Sequence, residues 1–224
     1  MPPIAIVFDF DGVLADSEPL HFRALQVIVA ELGITIERDE YYERYLGYDD
    51  VGAMKLLSAA HGQSWTDKQI SALIERKSVV FEEMLQAGAV LYPAAPACVR
   101  RLATKYPLGI ASGALKHEIM AILHGSGLAQ HFRFVVASGE TPRSKPAPDP
   151  YRRAAELHKL PPASCLAIED SRWGIESAKA AGLRCVGITT TYRAHELPGA
   201  DAVIESLDQF TPALIEGLMG KNSS

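Results

Sequence analysis

The chain has 224 residues, enough for one full hydrophobic core and a smaller second unit without disulfides or structural metal. A net charge of −5 without a basic cluster argues against nucleic-acid binding, and no apolar run reaches the roughly 18 residues that a membrane helix requires. Three scattered cysteines predict reduced core thiols: Cys98, Cys165 and Cys185. Because Met1 runs directly into an apolar segment, we expect no secretory signal and a cytoplasmic location.

The first predicted element is a strand near the start of the chain. Residues 4–8 form an unbroken apolar run, which is typical of a strand buried on both faces. Asp9 and Asp11 follow it, and Gly12 opens a loop. Ligands of open α/β sheets bind beyond the carboxyl ends of the strands, so both carboxylates are candidate functional residues. The alternative is that they only solvate or cap a turn.

A long helical block follows. From Ser17 to about residue 86 the apolar side chains recur at helical intervals, and nothing indicates a strand. About four helices are too many for the crossover of a βαβ unit. We therefore predict a helical cap domain at residues 17–87, inserted into an α/β core formed by residues 1–16 and 88–224. The alternative is a longer helical layer packed on the same core.

The rest of the chain alternates between strands and helices. This alternation predicts an α/β fold with a doubly wound, mostly parallel, Rossmann-like sheet. The predicted strands are 108–112, 134–137, 165–168, 184–188 and 202–204, and the predicted helices are 96–105, 115–124, 150–159 and 172–181.

Further polar residues lie at or near the ends of these strands. Ser112 and Gly113 end one strand, where a hydroxyl and free backbone amides can hold phosphate oxygens, although serine before glycine is also an ordinary helix cap. Lys145 lies in a proline-stiffened loop that can present it inward as a point charge, although most lysines are solvated. Glu169 and Asp170 repeat the arrangement of the first acidic pair, and two such pairs are suited to a hard cation.

These four segments resemble, in order, the four motifs of the haloacid dehalogenase-like hydrolase superfamily. The stretch DFDGVLADS at 9–17 resembles the first motif, and Ser112 and Lys145 match the second and third. The stretch EDSRWGIESA at 169–178 resembles the fourth. The helical insert is similar to that of the helical-cap subclass, which includes β-phosphoglucomutase, phosphoglycolate phosphatase and sugar-phosphate phosphatases.

The resemblance implies a Mg²⁺-dependent phosphatase. Asp9 would attack phosphorus and form an aspartyl phosphate, and Asp11 would protonate the leaving oxygen and later activate water. Mg²⁺ would be held by the carboxylates of Asp9 and Asp170, by the backbone carbonyl of Asp11, and by Glu169 directly or through a water. The phosphate-binding residues would be Ser112, Gly113 and Lys145.

Two related enzyme classes share this scaffold. Dehalogenases lack the second acid of the first motif, so Asp11 argues against them. The alternative is a β-phosphoglucomutase-like mutase, whose cap must hold a second phosphate. Such mutases have an arginine three positions after a cap glycine, where here Gly47 is followed by Asp50, an acid expected to repel that phosphate. The resemblance gives four candidate substrate residues in the cap: His21, Arg44, Tyr48 and Lys77.

We therefore favour hydrolysis of a small phosphomonoester of the sugar phosphate or phosphoglycolate type. A binding protein that keeps the fold without turnover would be expected to have lost some of the acids or the lysine, and all are present. The expected partner is a small phosphorylated metabolite, with no nucleic acid and no membrane, and the chain is expected to be a monomer or homodimer.

Overall fold

The structure is a computed structural model that describes residues 3–46, 48–85 and 90–220. The chain divides into two compact units, one formed by Met1–Asp16 with Leu91–Ser224 and the other by Ser17–Val90. The predicted boundary between residues 87 and 88 lies outside the described residues, as does Gly47.

The second unit is helical throughout the part of it that the structure describes. Its elements are α1 (Glu18–Ala30), α2 (Arg38–Arg44), α3 (Asp50–Ala60) and α4 (Asp67–Leu85). The apolar positions of all four helices meet in one buried cluster that includes Ile28, Met54, Leu57, Ile70 and Leu73. This spacing is why the segment folds as helices, since each helix has one apolar face to bury.

The first unit is built on a parallel sheet. Its strands are β1 (Ala5–Phe8), β2 (Leu108–Ala111), β3 (Phe132–Val136), β4 (Cys165–Glu169), β5 (Arg184–Ile188) and β6 (Ala202–Ile204). Their spatial order is β3-β2-β1-β4-β5-β6, and every described pairing is parallel. The predicted fold class is confirmed.

Five helices accompany this sheet in the described residues. They are α5 (Ala95–Ala103), α6 (Lys116–Gly125), α7 (Asp149–His158), α8 (Arg172–Ala180) and α9 (Pro212–Met219). The strand order reverses at β1. Because crossovers between parallel strands are right-handed as a rule, this order is that of a doubly wound sheet with helices on both faces. No stretch within the described helices is long and apolar enough to cross a membrane.

The bounds of most predicted elements shift by one or two residues, and one helix is new. Strand β3 begins two residues earlier than expected, because Arg133 interrupts the apolar run in the sequence. Arg133 is exposed, whereas Phe132 and Phe134 on either side of it are partly buried, which is the alternation of a strand. Helix α9 was not predicted. The Thr211 side chain caps it by accepting a hydrogen bond from the Leu214 N–H at 3.3 Å, and Pro212 opens its first turn.

His158 ends α7 inside the core of this unit. It is 5% exposed, and its ring lies edge-on to Phe134 with centroids 4.6 Å apart. Burial lowers the pKa of His158 from 6.5 to about 4. Between pH 6.5 and about pH 4, His158 therefore binds a proton in the unfolded chain but not in the folded protein. This histidine consequently lowers the free energy of unfolding as the pH falls through that range.

We expect the substitution His158→Leu to reduce the acid sensitivity of the fold. Between pH 7 and pH 5 the wild type should lose about 1–2 kcal/mol more unfolding free energy than the variant, because only the wild type has this proton uptake. Urea unfolding at both pH values measures the difference. His195→Gln, at an exposed histidine, is the control and should behave like the wild type. Equal pH dependence of His158→Leu and wild type would contradict the assignment.

Candidate active site

The site lies where three neighbouring strands end. Asp9 directly follows β1, Ser112 directly follows β2, and Glu169 is the last residue of β4. Strand β1 lies between the other two, and Phe8 is level with Ile110 on one side and Ile168 on the other. Parallel pairing therefore brings polar residues far apart in the sequence to one edge of the sheet.

Asp9 is held in a fixed orientation. It is 8% exposed, and its Oδ1 accepts hydrogen bonds from the Phe10 backbone N–H at 2.7 Å and from the Lys145 ammonium, whose Nζ lies 2.9 Å away. Two donors on one oxygen restrict rotation of the carboxylate. Its own backbone N–H donates to the Ile168 carbonyl at 3.0 Å, which ties this residue to β4.

Lys145 bridges two of the acids. Its Nζ lies 2.6 Å from Glu169 Oε1 as well as 2.9 Å from Asp9 Oδ1, and its side chain is 12% exposed. Burial alone would lower the pKa of Lys145, but the two carboxylates outweigh it and raise the pKa above its ordinary value. The lysine is therefore a fixed positive charge beside Asp9.

The loop that carries this lysine is anchored on both sides of it. Arg143 forms a paired interaction with Asp149, with Nε–Oδ1 and Nη2–Oδ2 distances of 3.3 and 2.9 Å. The buried Ser177 hydroxyl of α8 donates to the Ala147 carbonyl at 2.6 Å. The prolines predicted a stiff loop, and these contacts attach it to α7 and α8.

Three buried carboxylates form a cluster suited to a metal ion. Oxygen atoms of Asp9, Glu169 and Asp170 all lie within 4.8 Å of one another. Lys145 is bound to two of these carboxylates, so the three acids and the lysine together carry more negative than positive charge when the acids are ionised. Oxygen ligands with this charge excess fit a hard divalent cation such as Mg²⁺.

The same crowding acts on the titration of Asp9. Burial raises the pKa of Asp9 well above its ordinary value, Glu169 and Asp170 act in the same direction, and Lys145 opposes them. A divalent cation at this cluster would favour the ionised carboxylate. Asp11 is partly exposed, and among the described residues its carboxylate is not one of the clustered three.

Two glycines make room for the fourth-motif acids. A Cβ at Gly12 would lie 1.9 Å from Asp170 Oδ2, and Gly12 also has a positive φ of 74°. A Cβ at Gly174 would lie 1.9 Å from the carboxyl carbon of Glu169. Only glycine therefore permits these approaches. Both glycines lie in the motifs described above, but the sequence alone does not indicate these close approaches.

Ser112 and Gly113 form the turn after β2. The Ser112 side chain is buried, and its Oγ accepts a hydrogen bond from the Ala114 N–H at 3.1 Å. The hydroxyl proton can still be donated to a phosphoryl oxygen. Gly113 is exposed, and a Cβ built on it would meet no heavy atom within 4 Å. The turn thus has space for a small anion.

One residue at this site was missed by the sequence analysis. Tyr151 is completely buried, and its hydroxyl donates to Glu169 Oε1 at 2.6 Å. It lies in α7, six residues after Lys145, and the sequence placed it only at the start of a helix. A tyrosine at this spacing indicates nothing until the packing of α7 against the sheet is known.

The helical unit brings together two of the four candidate cap residues. Lys77 Nζ lies 3.2 Å from His21 Nδ1, and both side chains are buried. The His21 ring stacks on Phe81 at 4.2 Å. The other two candidates are exposed: Arg44 forms an ion pair with Glu40 at 3.5 Å, and Tyr48 is 51% exposed.

The role expected for Asp50 needs a correction. Its Oδ1 lies 2.5 Å from Lys77 Nζ, so its charge is balanced by a buried ammonium. An acid at this position was expected to repel a second phosphate. Because of this ion pair, its charge alone is a weak argument against a mutase.

Comparison with known proteins places this geometry in a family. A family model for haloacid dehalogenase-like hydrolases matches residues 5–182. The chain belongs to this family. CbbY from Rhodobacter capsulatus is 34% identical over 215 residues, which cover 91% of this chain and 93% of that protein. The family predicted from the four motifs is confirmed.

Two further relatives are an enzyme named for its substrate and a protein with a bound sugar bisphosphate. Phosphoglycolate phosphatase from Escherichia coli (strain K12) is 26% identical over 230 residues, covering 93% of this chain and 91% of that enzyme. A crystal structure of a CbbY variant from Rhodobacter sphaeroides in complex with xylulose-1,5-bisphosphate has a TM-score of 0.82 and 27% identity, covering 91% of this chain and 94% of that one.

We expect Gly174→Ala to weaken Mg²⁺ binding by about 10- to 100-fold, because the added methyl group must displace the Glu169 carboxylate. Isothermal titration calorimetry of the folded protein with Mg²⁺ measures the change. Gly217→Ala is the matched control, since a Cβ there would meet no heavy atom within 4 Å, and it should leave the affinity unchanged. Wild-type affinity in Gly174→Ala would show that Glu169 is not held as described.

Proposed function

We propose that this chain is a Mg²⁺-dependent phosphatase that hydrolyses a small phosphomonoester, of the sugar phosphate or phosphoglycolate type, through an aspartyl phosphate on Asp9. The observation that carries the proposal is the cluster of Asp9, Glu169 and Asp170 with Lys145 bound to the first two. This arrangement provides a nucleophile, a metal site and a fixed positive charge within a few ångströms.

The reaction class follows from the comparisons. The chain is a haloacid dehalogenase-like hydrolase, and its relatives include enzymes named as phosphatases, so the prediction of a phosphoric monoester hydrolase is confirmed. The relative from Rhodobacter sphaeroides binds a phosphorylated sugar, and the relative from Escherichia coli is named for phosphoglycolate. Both names support a small phosphorylated metabolite as the substrate of this chain.

In the first step a carboxylate oxygen of Asp9 forms a bond to phosphorus while the bond between phosphorus and the leaving oxygen breaks. The electron pair of that bond goes to the leaving oxygen, which takes a proton from the Asp11 carboxylic acid. The products are a free alcohol and the aspartyl phosphate. The two hydrogen bonds to Asp9 Oδ1 keep the carboxylate oriented for this attack.

In the second step Asp11, now ionised, takes a proton from a water molecule as the water oxygen attacks phosphorus. The bond between phosphorus and the Asp9 oxygen breaks, which releases inorganic phosphate and restores both acids. The Asp11 carboxylate lies outside the three-acid cluster described above, so it can exchange protons without leaving a metal ion.

The charge of the phosphoryl group is balanced by fixed groups. Lys145 and the Ser112 hydroxyl would contact its oxygens, with the Gly113 turn beside them. The residues that would hold Mg²⁺ are Asp9, Glu169 and Asp170 with the Asp11 carbonyl. When bound, Mg²⁺ would neutralise charge on the carboxylates and on the phosphoryl oxygens.

A cytoplasmic setting is part of the proposal, supported by three buried cysteines that form no disulfide.

The substitution Asp9→Asn should abolish turnover, with a loss of at least about 10³-fold in kcat, because an amide is not a competent nucleophile. Phosphate release from p-nitrophenyl phosphate with Mg²⁺ measures it. Asp208→Asn makes the same charge change at an exposed position and should retain activity. A wild type without Mg²⁺-dependent turnover would favour a binding protein.

A substrate panel tested with the same enzyme preparation distinguishes a phosphatase from a mutase. A panel of phosphoglycolate, hexose phosphates and β-glucose 1-phosphate, scored by kcat/KM, should show phosphate release from at least one member. Conversion of β-glucose 1-phosphate to glucose 6-phosphate without phosphate release would instead identify a mutase.

The substitution Asp11→Ala should lower kcat/KM by about 10²-fold or more for an alkyl phosphate, because the leaving alkoxide is no longer protonated. The loss should be smaller for p-nitrophenyl phosphate, whose leaving group is a much weaker base. Mg²⁺ affinity, measured by calorimetry, should change little compared with Asp170→Ala. A loss of Mg²⁺ affinity equal to that of Asp170→Ala would mean that the Asp11 side chain ligates the metal.

A further inference from the structure

We propose that Tyr151 is a positioning residue for the phosphatase reaction. Its hydroxyl fixes the Glu169 carboxylate, which in turn holds Lys145 beside Asp9 and keeps one oxygen of Glu169 available for the metal ion. This inference rests on the proposed function and deepens it.

The first observation is that two donors share one oxygen. The Tyr151 hydroxyl and the Lys145 ammonium each lie 2.6 Å from Glu169 Oε1. Tyr151 and Glu169 are both completely buried, so water does not compete for these bonds. Hydrogen bonds to an ionised acceptor in such surroundings are strong and directional.

The second observation is that these donors distinguish the two oxygens of Glu169. A carboxylate oxygen has two lone pairs, and both on Oε1 are used by the tyrosine and the lysine. The described contact of Oε2 is a longer one, from the Ser171 hydroxyl at 3.3 Å. Gly174 lies directly against the carboxyl group. Rotation of the carboxylate would break both short bonds, so Oε2 would be the oxygen of Glu169 that could bind a cation.

The third observation is that the ring of Tyr151 has contacts of its own, which do not involve the hydroxyl. Tyr151 packs in the buried apolar cluster of the sheet with Val7, Ala167 and Ile175. The Lys145 ammonium also lies 5.2 Å from the centre of the ring. Phenylalanine would preserve both the packing and the contact of the cation with the ring. Tyr151→Phe therefore isolates the hydrogen bond.

The test compares Tyr151→Phe with a matched variant elsewhere in the same unit. In Tyr151→Phe we expect kcat for p-nitrophenyl phosphate to fall about tenfold with KM changed by less than about threefold, because one bond to a buried ion is lost. Mg²⁺ affinity by calorimetry should weaken several-fold. Tyr106→Phe removes a hydroxyl that donates to Glu216 at 3.2 Å, and it should change neither quantity.

A double-mutant cycle distinguishes positioning from simple packing. If Tyr151 acts through Glu169, most of the effect of Tyr151→Phe on kcat and on Mg²⁺ affinity should disappear in a Glu169→Gln background. Full additivity of the two substitutions would overturn the proposal. A lower melting temperature in Tyr151→Phe with kcat and Mg²⁺ affinity unchanged would also overturn it, because that is the result of a structural role alone.

Failure of the proposed function gives a different result. A wild type that binds Mg²⁺ but releases no phosphate from any substrate in the panel would refute the phosphatase. The role of Tyr151 could still be tested by a double-mutant cycle on Mg²⁺ affinity, measured by calorimetry. Coupling between Tyr151→Phe and Glu169→Gln supports the positioning role, and wild-type Mg²⁺ affinity in Tyr151→Phe overturns it.

Discussion

The concentration of negative charge at the ends of β1 and β4 governs the rest of this site. Asp9, Glu169 and Asp170 are buried together, and Lys145 is bound to the first two of them. Burying such a cluster lowers the stability of the folded protein unless a further cation balances its negative charge. In the proposed mechanism this imbalance is useful, because a cation that neutralises the acids would also attract a phosphate and leave one carboxylate able to attack.

The surrounding structure fixes the positions of these charged side chains relative to one another. Parallel pairing of β1 with β4 sets the depth of Asp9 relative to Glu169. Gly12 and Gly174 allow backbone to approach the acids, and the loop of Lys145 is fastened to two helices. Each of these features is local, and each restricts one side chain. Together they give preorganised electrostatics, which in phosphoryl transfer provides most of the catalytic effect.

Sequence patterns were informative wherever the chemistry follows a strand end. The apolar runs before Asp9 and Glu169 correctly predicted that both acids lie at the ends of strands, because strands of a parallel sheet that are buried on both faces are continuously apolar. Tyr151 could not be found this way, since its contact with Glu169 depends on how α7 packs on the sheet. The ion pair of Asp50 with Lys77 joins α3 to α4 and was likewise invisible. Contacts between elements require three-dimensional packing, whereas positions within an element do not.

The most direct test of a shared cation is a crystal soaked in Mn²⁺ as a stand-in for Mg²⁺, with anomalous scattering used to locate the metal. One strong peak is expected within about 2.5 Å of carboxylate oxygens from both Asp9 and Asp170. A peak that contacts neither acid, or no peak at the ends of β1 and β4 at saturating Mn²⁺, would contradict the shared cation.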